Sequence, residues 1–178
     1  MRFHQSTATA TTLLAACIAI LWLQAGCAAQ PGEGLAIYLT AGDIRPADMP
    51  DTPYEVEITD QPVICSTDII DYDADTHTMT LTPDAYARLI ELDVPVTGRA
   101  FVVCVNGDPI YSGAFWVPYS SFLYEGVSLR KPLGAYGSTR VVLESGCPTP
   151  EELEGTDVRD DPRIIESLRQ AGKLRRTQ

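Results

Sequence analysis

Phe101-Val102-Val103-Cys104-Val105-Asn106-Gly107-Asp108-Pro109-Ile110-Tyr111-Ser112-Gly113-Ala114-Phe115 is the stretch that decides the fold. Its first five residues are apolar at both parities, as in a strand covered on both faces and therefore central in a sheet. Asn106-Gly107 follows, two residues that accept φ > 0, as both central positions of a type I′ turn require. The returning run Ile110 to Phe115 completes a β-hairpin in the middle of the domain.

Upstream of this hairpin, Thr82 is a good N-cap, Pro83 suits the first helical position and Asp84 favours the positive end of the helix dipole. Ala85, Tyr86, Leu89 and Ile90 then share one helical face, which predicts a short amphipathic helix to about Leu92. Before it, Ile69 to Tyr72 and His77 to Leu81 flank the polar turn Asp73-Ala74-Asp75-Thr76 and predict a second hairpin. Leu35-Ala36-Ile37-Tyr38-Leu39 reads as a first strand. Tyr54-Glu55-Val56-Glu57-Ile58 alternates apolar and charged residues, which predicts a strand with one wet face.

Downstream, Gly126 to Leu129 and Arg140 to Leu143 predict two more strands across a Gly-rich loop. Asp161 as N-cap, Pro162 at the first position and Ile164, Ile165 and Leu168 on one face predict a last helix ended by Gly172. The basic tail Lys173-Leu174-Arg175-Arg176 is expected to fray. Strands and short helices in this order predict an α+β domain, a mostly antiparallel sheet with two short helices packed on it.

The segment from Thr78 to about Leu129 resembles the first periplasmic, or head, domain of SecD, an accessory subunit of bacterial protein translocation. The resemblance lies in a succession: the strand Met79 to Thr82, a helix opening with Pro83-Asp84-Ala85, the strand Phe101 to Val105, the turn Asn106-Gly107-Asp108 and the strand Pro109 to Gly113. It covers about a third of the chain and carries no catalytic signature. It implies a SecD-head-like fold and, by analogy, contact with an unfolded or extended protein segment. SecD also has transmembrane helices with ionisable groups, which this chain lacks beyond Gly26, so a translocation motor is not expected.

Residues 1–26 carry one Arg, no acid, and the apolar run Leu13 to Leu23. That run is shorter than the ~20 residues a bilayer span needs and suits a signal peptide. Leu23-Gln24-Ala25-Gly26-Cys27 resembles the bacterial lipobox, which implies acylation of Cys27 and anchorage to a membrane. Gln24 departs from that pattern, and ordinary cleavage near Ala28 or Ala29 would give a secreted protein instead. Residues 27–34, small and rich in Pro and Gly, are expected to be a tether, and residues 35–178 a single domain in the cell envelope.

The 178 residues hold 24 acids against 13 bases, a formal charge of -11, which repels phosphate backbones and speaks against nucleic acid. Cys65, Cys104 and Cys147 remain beyond Cys27, an odd number that permits at most one intramolecular disulfide. Cys104, within an apolar strand, is expected to be a core residue. Asp71-x-Asp73-x-Asp75 imitates the opening of a calcium loop, yet Thr76 and Thr82 stand where Gly and Glu are required, so an acidic hairpin turn is expected and no metal. No cofactor-binding motif is present.

His77, read as a solvated strand residue, is the only histidine beyond Gly26. An envelope enzyme would have to use it, with Cys65, Cys104 or a carboxylate as partner. The acid pairs Glu151-Glu152 and Asp160-Asp161 read as loop charge and caps. Phe115, Trp116, Tyr119, Phe122 and Tyr124 form the densest aromatic stretch and are either a partner-binding loop or a cover for the sheet. The expectation is a non-catalytic, lipid-tethered binding domain; the other classes open are an enzyme centred on His77 and a carrier of a small ligand, which would need a deep apolar pocket.

Overall fold

A computed structural model describes residues 33–134, 137–147 and 157–175. These belong to one compact unit, Pro31–Gln178. The expected signal peptide, Cys27 and most of the expected tether lie outside the described residues, as does Glu151-Glu152. No described helix is long and apolar enough to cross a membrane.

Among the described residues the fold is α+β, with a nine-stranded mixed sheet and two helices. In chain order the elements are β1 (Leu35–Leu39), β2 (Ile64–Cys65), β3 (Ile69–Asp73), β4 (Thr78–Leu81), α1 (Pro83–Glu91), β5 (Arg99–Val105), β6 (Asp108–Trp116), β7 (Tyr124–Arg130), β8 (Arg140–Cys147), α2 (Pro162–Gln170) and β9 (Leu174–Arg175). Across the sheet the order is β2-β1-β5-β6-β7-β8-β4-β3-β9. Neighbours run antiparallel except β6 with β7 and β3 with β9, which are parallel. β8 links two regions: Arg140, Val141 and Val142 pair with β4, and Leu143 to Cys147 pair with β7.

The central hairpin forms as its turn residues demand, with Asn106 at φ 52° and Gly107 at φ 86°. Asn106 also fastens the incoming chain: its Oδ1 accepts from Gly34 N at 2.8 Å and its N–H donates to Gly34 O at 2.9 Å. Thr82 Oγ1 accepts from Ala85 N at 3.3 Å to start α1, and Asp161 Oδ1 accepts from Arg163 N at 2.9 Å to start α2. α2 ends in a Schellman motif, Gly172 at φ 68° with Gly172 N bonded to Arg169 O and Lys173 N to Leu168 O.

Alternation along the strands divides the sheet's faces. Leu35, Ile37, Phe101, Val103, Phe115, Val127 and Leu129 join the main core, against which Ala85, Tyr86 and Leu89 of α1 and Ile164 and Leu168 of α2 pack. Full burial of each such Leu, Ile or Phe contributes about 1.5–3 kcal/mol. On the other face, Ala36, Tyr38, Val102 and Cys104 are covered by Met49 and Ile58 from the long connection between β1 and β2. Cys104 is fully buried, as its apolar strand predicts. Farther along the sheet, Ala114, Trp116 and Cys147 form a third cluster, joined by Tyr124.

Three expectations are corrected. Tyr54 to Ile58 is not a strand: Pro53–Glu55 is a 3-10 turn, and only Ile58 forms a bridge, with Thr40. Pro53 withholds a ladder donor, and the neighbouring β1 is already paired on both sides over its first half. The tail does not fray at Leu174 and Arg175, because these pair in parallel with Tyr72 and Asp73 as β9. His77 is not a solvated strand residue: it closes the β3–β4 turn at φ 49° and is buried.

Candidate functional site

The aromatic stretch is split by the sheet. Phe115 points into the main core, tilted against Phe101 at 5.0 Å between ring centroids, and offers a partner no surface. Trp116, one residue on, points to the opposite face, where its indole stacks on Tyr124 at 5.5 Å and an interplanar angle of 18°. Gly98 makes room for it: a Cβ there would lie 2.3 Å from the indole ring. Trp116 Nε1 is buried with no hydrogen-bond partner among the described residues.

Beyond Trp116 the chain turns back through residues 117–123 to reach β7. Ser120 ties this loop down, its hydroxyl donating to Val96 O at 2.6 Å and accepting from Phe122 N at 3.2 Å. Tyr119, Phe122 and Leu123 stay exposed, at 67, 52 and 79% of their surface, with Val96 beside them. Arg45, Pro46, Ala47, Thr97, Trp116, Phe122, Leu123 and Tyr124 line a mainly apolar groove of about 160 Å³. Leu123, Pro46 and Arg45 are additions to the residues read from sequence. Leu123 is accessible to such a reading as part of an unbroken apolar triplet with Phe122 and Tyr124, whereas Arg45 and Pro46 arrive from far upstream in the chain with no local signal.

A second, polar site surrounds His77. Tyr72 OH and His77 Nδ1 are 3.0 Å apart, and His77 Nε2 lies 3.5 Å from Asp157 Oδ2. Asp157 is gripped by Arg159, whose Nε is 2.9 Å from Oδ1 and whose Nη2 is 2.5 Å from Oδ2. Arg159 Nη1 in turn donates to Leu143 O at 2.7 Å. Asp160 stands on the same side as Asp157, because the 3-10 turn Val158–Asp160 eclipses positions three apart. Ala74, Asp75, His77, Asp160 and Ile165 line an open depression of about 510 Å³.

Electrostatics at this site follow from burial and from Arg159. Burial, then the Arg159 charge, hold His77 below its ordinary value against the pull of Asp157, Asp160 and Asp73, which keeps the imidazole neutral at neutral pH. The bonds from Arg159 hold Asp157 below the usual carboxylate range. Burial pushes the Tyr72 phenol up, so it stays protonated. Among the described residues, the groups that face His77 are the Tyr72 hydroxyl and the carboxylates of Asp157 and Asp160. Cys65 and Cys104 are on the first and third strands of the sheet, while His77 precedes β4, the seventh.

Asp73 is engaged in its own turn, Oδ1 accepting from Asp75 N and Thr76 N at 3.0 and 3.1 Å, and Asp161 caps α2. Asp157 and Arg159 carry no sequence pattern that links them to His77, which lies far earlier in the chain. Comparison with protein-family models, curated proteins and solved structures finds no match to this chain.

Proposed function

We propose that this chain is an extracytoplasmic domain, tethered to a membrane by a lipid on Cys27, that acts without catalysis by binding an extended apolar segment of another polypeptide in the groove between Pro46 and Phe122. The observation that carries the reading is the exposure of Phe122 and Leu123 at a groove that the stacked Trp116 and Tyr124 also line, with Tyr119 exposed on the same loop. Contiguous exposed apolar surface of this kind marks contact sites, and aromatic rings held in place give contact area at low entropy cost. A volume of about 160 Å³ suits one or two side chains of a polypeptide. A carried small ligand would need a mainly apolar pocket of about 300–1,000 Å³, whereas the depression beside His77 is open and mostly polar.

The chain enters at Gly34, bonded to Asn106 at one end of the central hairpin, whereas the aromatic loop follows Trp116 at the other end. The length of β5, Arg99–Val105, at ~3.4 Å per residue separates those ends by about 20 Å. The groove lies toward the Arg99 end of the central hairpin, opposite the Gly34 end. A kinship with SecD head domains is part of the proposal; it is supported by the strand, helix, strand, turn and strand succession from Thr78 to Gly113.

Trp116 and Trp22 are the only tryptophans of the chain, so after removal of the signal peptide Trp116 alone reports on the groove. Titration with extended apolar peptides, and with a reduced unfolded protein, should shift its emission saturably. Phe122→Ser and Leu123→Ser, both at exposed positions, should weaken binding while leaving the melting temperature unchanged. Unaltered emission with every apolar peptide, or wild-type affinity in both variants, would refute the reading.

A further inference from the structure

We propose that His77, Asp157 and Asp160 form a binding site for a first-row transition dication of the zinc class, open to solvent on one side. A ligand atom of each residue lies within 4.8 Å of the other two. The separation of 3.5 Å between His77 Nε2 and Asp157 Oδ2 is long for an N–H···O hydrogen bond, which prefers about 2.7–3.2 Å. It fits two ligands of one ion: bonds of about 2.0–2.1 Å at a tetrahedral angle place ligand atoms roughly 3.3 Å apart.

The histidine supplies a second, independent indication. Only 8% of the surface of His77 is exposed, yet the residue lines the depression. Its ring is fixed through Nδ1 by the Tyr72 hydroxyl, which leaves Nε2 toward the two carboxylates. When Tyr72 accepts from Nδ1–H, the Nε2 lone pair faces Asp157 and Asp160, an arrangement that a bound cation stabilises. An outer partner on the second ring nitrogen is the usual way a metal-bound imidazole is oriented.

Arg159 orients Asp157, its Nη2 2.5 Å and its Nε 3.1 Å from the same Oδ2 and its Nε 2.9 Å from Oδ1, so the guanidinium and the ion share one carboxylate oxygen. That sharing, with an imidazole among so few ligands, disfavours calcium and magnesium, which take six or more oxygens, and favours zinc, cobalt or nickel. Three protein ligands leave a fourth position facing the depression, where water completes the shell.

The test is titration of the purified, chelator-treated protein with Co²⁺, followed by visible absorption, and with Zn²⁺, followed by thermal shift. One equivalent of Co²⁺ should produce the absorption of a tetrahedral site, and Zn²⁺ should raise the melting temperature. Asp160 is exposed, so Asp160→Asn should leave the metal-free melting temperature unchanged and weaken binding about tenfold or more, as loss of a ligand or its support does. His77→Gln should abolish it. No saturable binding, affinity unchanged in Asp160→Asn, or a thiolate-to-cobalt charge-transfer band would overturn the proposal.

Discussion

Cys65 and Cys104 stand on either side of Ala36, each its direct partner in the neighbouring strand. Residues directly opposite share a face, so the two thiols are on the same face but two strand spacings apart. At ~4.8 Å per spacing their Cα atoms are about 10 Å apart, beyond the ~7 Å a disulfide can bridge. Cys147, on β8, is three spacings from Cys104, roughly 14 Å.

All three thiols are free, and the strand order predicts that they remain so in an oxidising compartment. Burial, then the Asp108 charge, push the Cys104 thiol up to about 11, and burial also raises Cys147. Only Cys65, half-buried beside Thr67 and Asp68, should react with a neutral-pH thiol reagent in the native protein; all three should react in guanidinium. A disulfide-linked peptide pair in a non-reducing digest would contradict the strand order.

Gly98→Ala tests the seating of Trp116. Gly98 has φ +80°, and its added Cβ would meet the indole at 2.3 Å and Pro46 at 3.1 Å. Strain and steric overlap together should cost at least ~2 kcal/mol and shift Trp116 emission. Gly137→Ala, at φ +67° with nothing within 4 Å, carries the strain alone and should cost about 1 kcal/mol without a spectral change. Equal losses in the two variants would show that the indole is not packed against Gly98.

What is legible in the sequence is local. The Asn106-Gly107 turn and the caps at Thr82 and Asp161 act on their immediate neighbours, so their hairpin and helices appear where the residues put them. Pairings made across the chain leave no such trace. Alternation at Tyr54 to Ile58 mimics a strand, but a strand also needs a free edge, and β2 occupies the β1 edge at Ala36 and Ile37. Parallel pairing of β6 with β7 depends on the loop that carries the chain back between them, and that of β3 with β9 joins strands from opposite ends of the domain's sequence. For the same reason His77 can be singled out as the sole histidine, while Asp157 and Arg159, which define its chemistry, cannot.

The last strand offers a direct test of one such pairing. Tyr72 N donates to Lys173 O at 2.8 Å and Ala74 N to Arg175 O at 3.2 Å. The Lys173 ammonium bonds Ile69 O, and Leu174 packs on the main core. Deleting residues 173–178 removes these bonds, at about 0.5–1.5 kcal/mol each, and should lower stability by roughly 2–4 kcal/mol in urea titration. Deleting 176–178 alone is the control. Equal midpoints for the two truncations would mean that the β3 edge does not depend on β9.

Asp68 gives the pH dependence a sign. Its carboxylate accepts from Cys65 N at 2.9 Å and from Arg88 Nη2 at 2.7 Å, joining the turn after β2 to α1. Burial works to raise it, but Arg88 and the bonds from Cys65 outweigh burial and hold it below its ordinary 3.8. The unfolded chain therefore takes up this proton first as pH falls. The contribution of Asp68 is complete above about pH 5, shrinks as pH passes through 3.8 and is gone below the folded value. Asp68→Asn should cost about 1–3 kcal/mol at pH 7, and the gap between variant and wild type in urea midpoint should close toward pH 3. A gap that stays constant over that range would mean that Asp68 acts through its shape and not its charge.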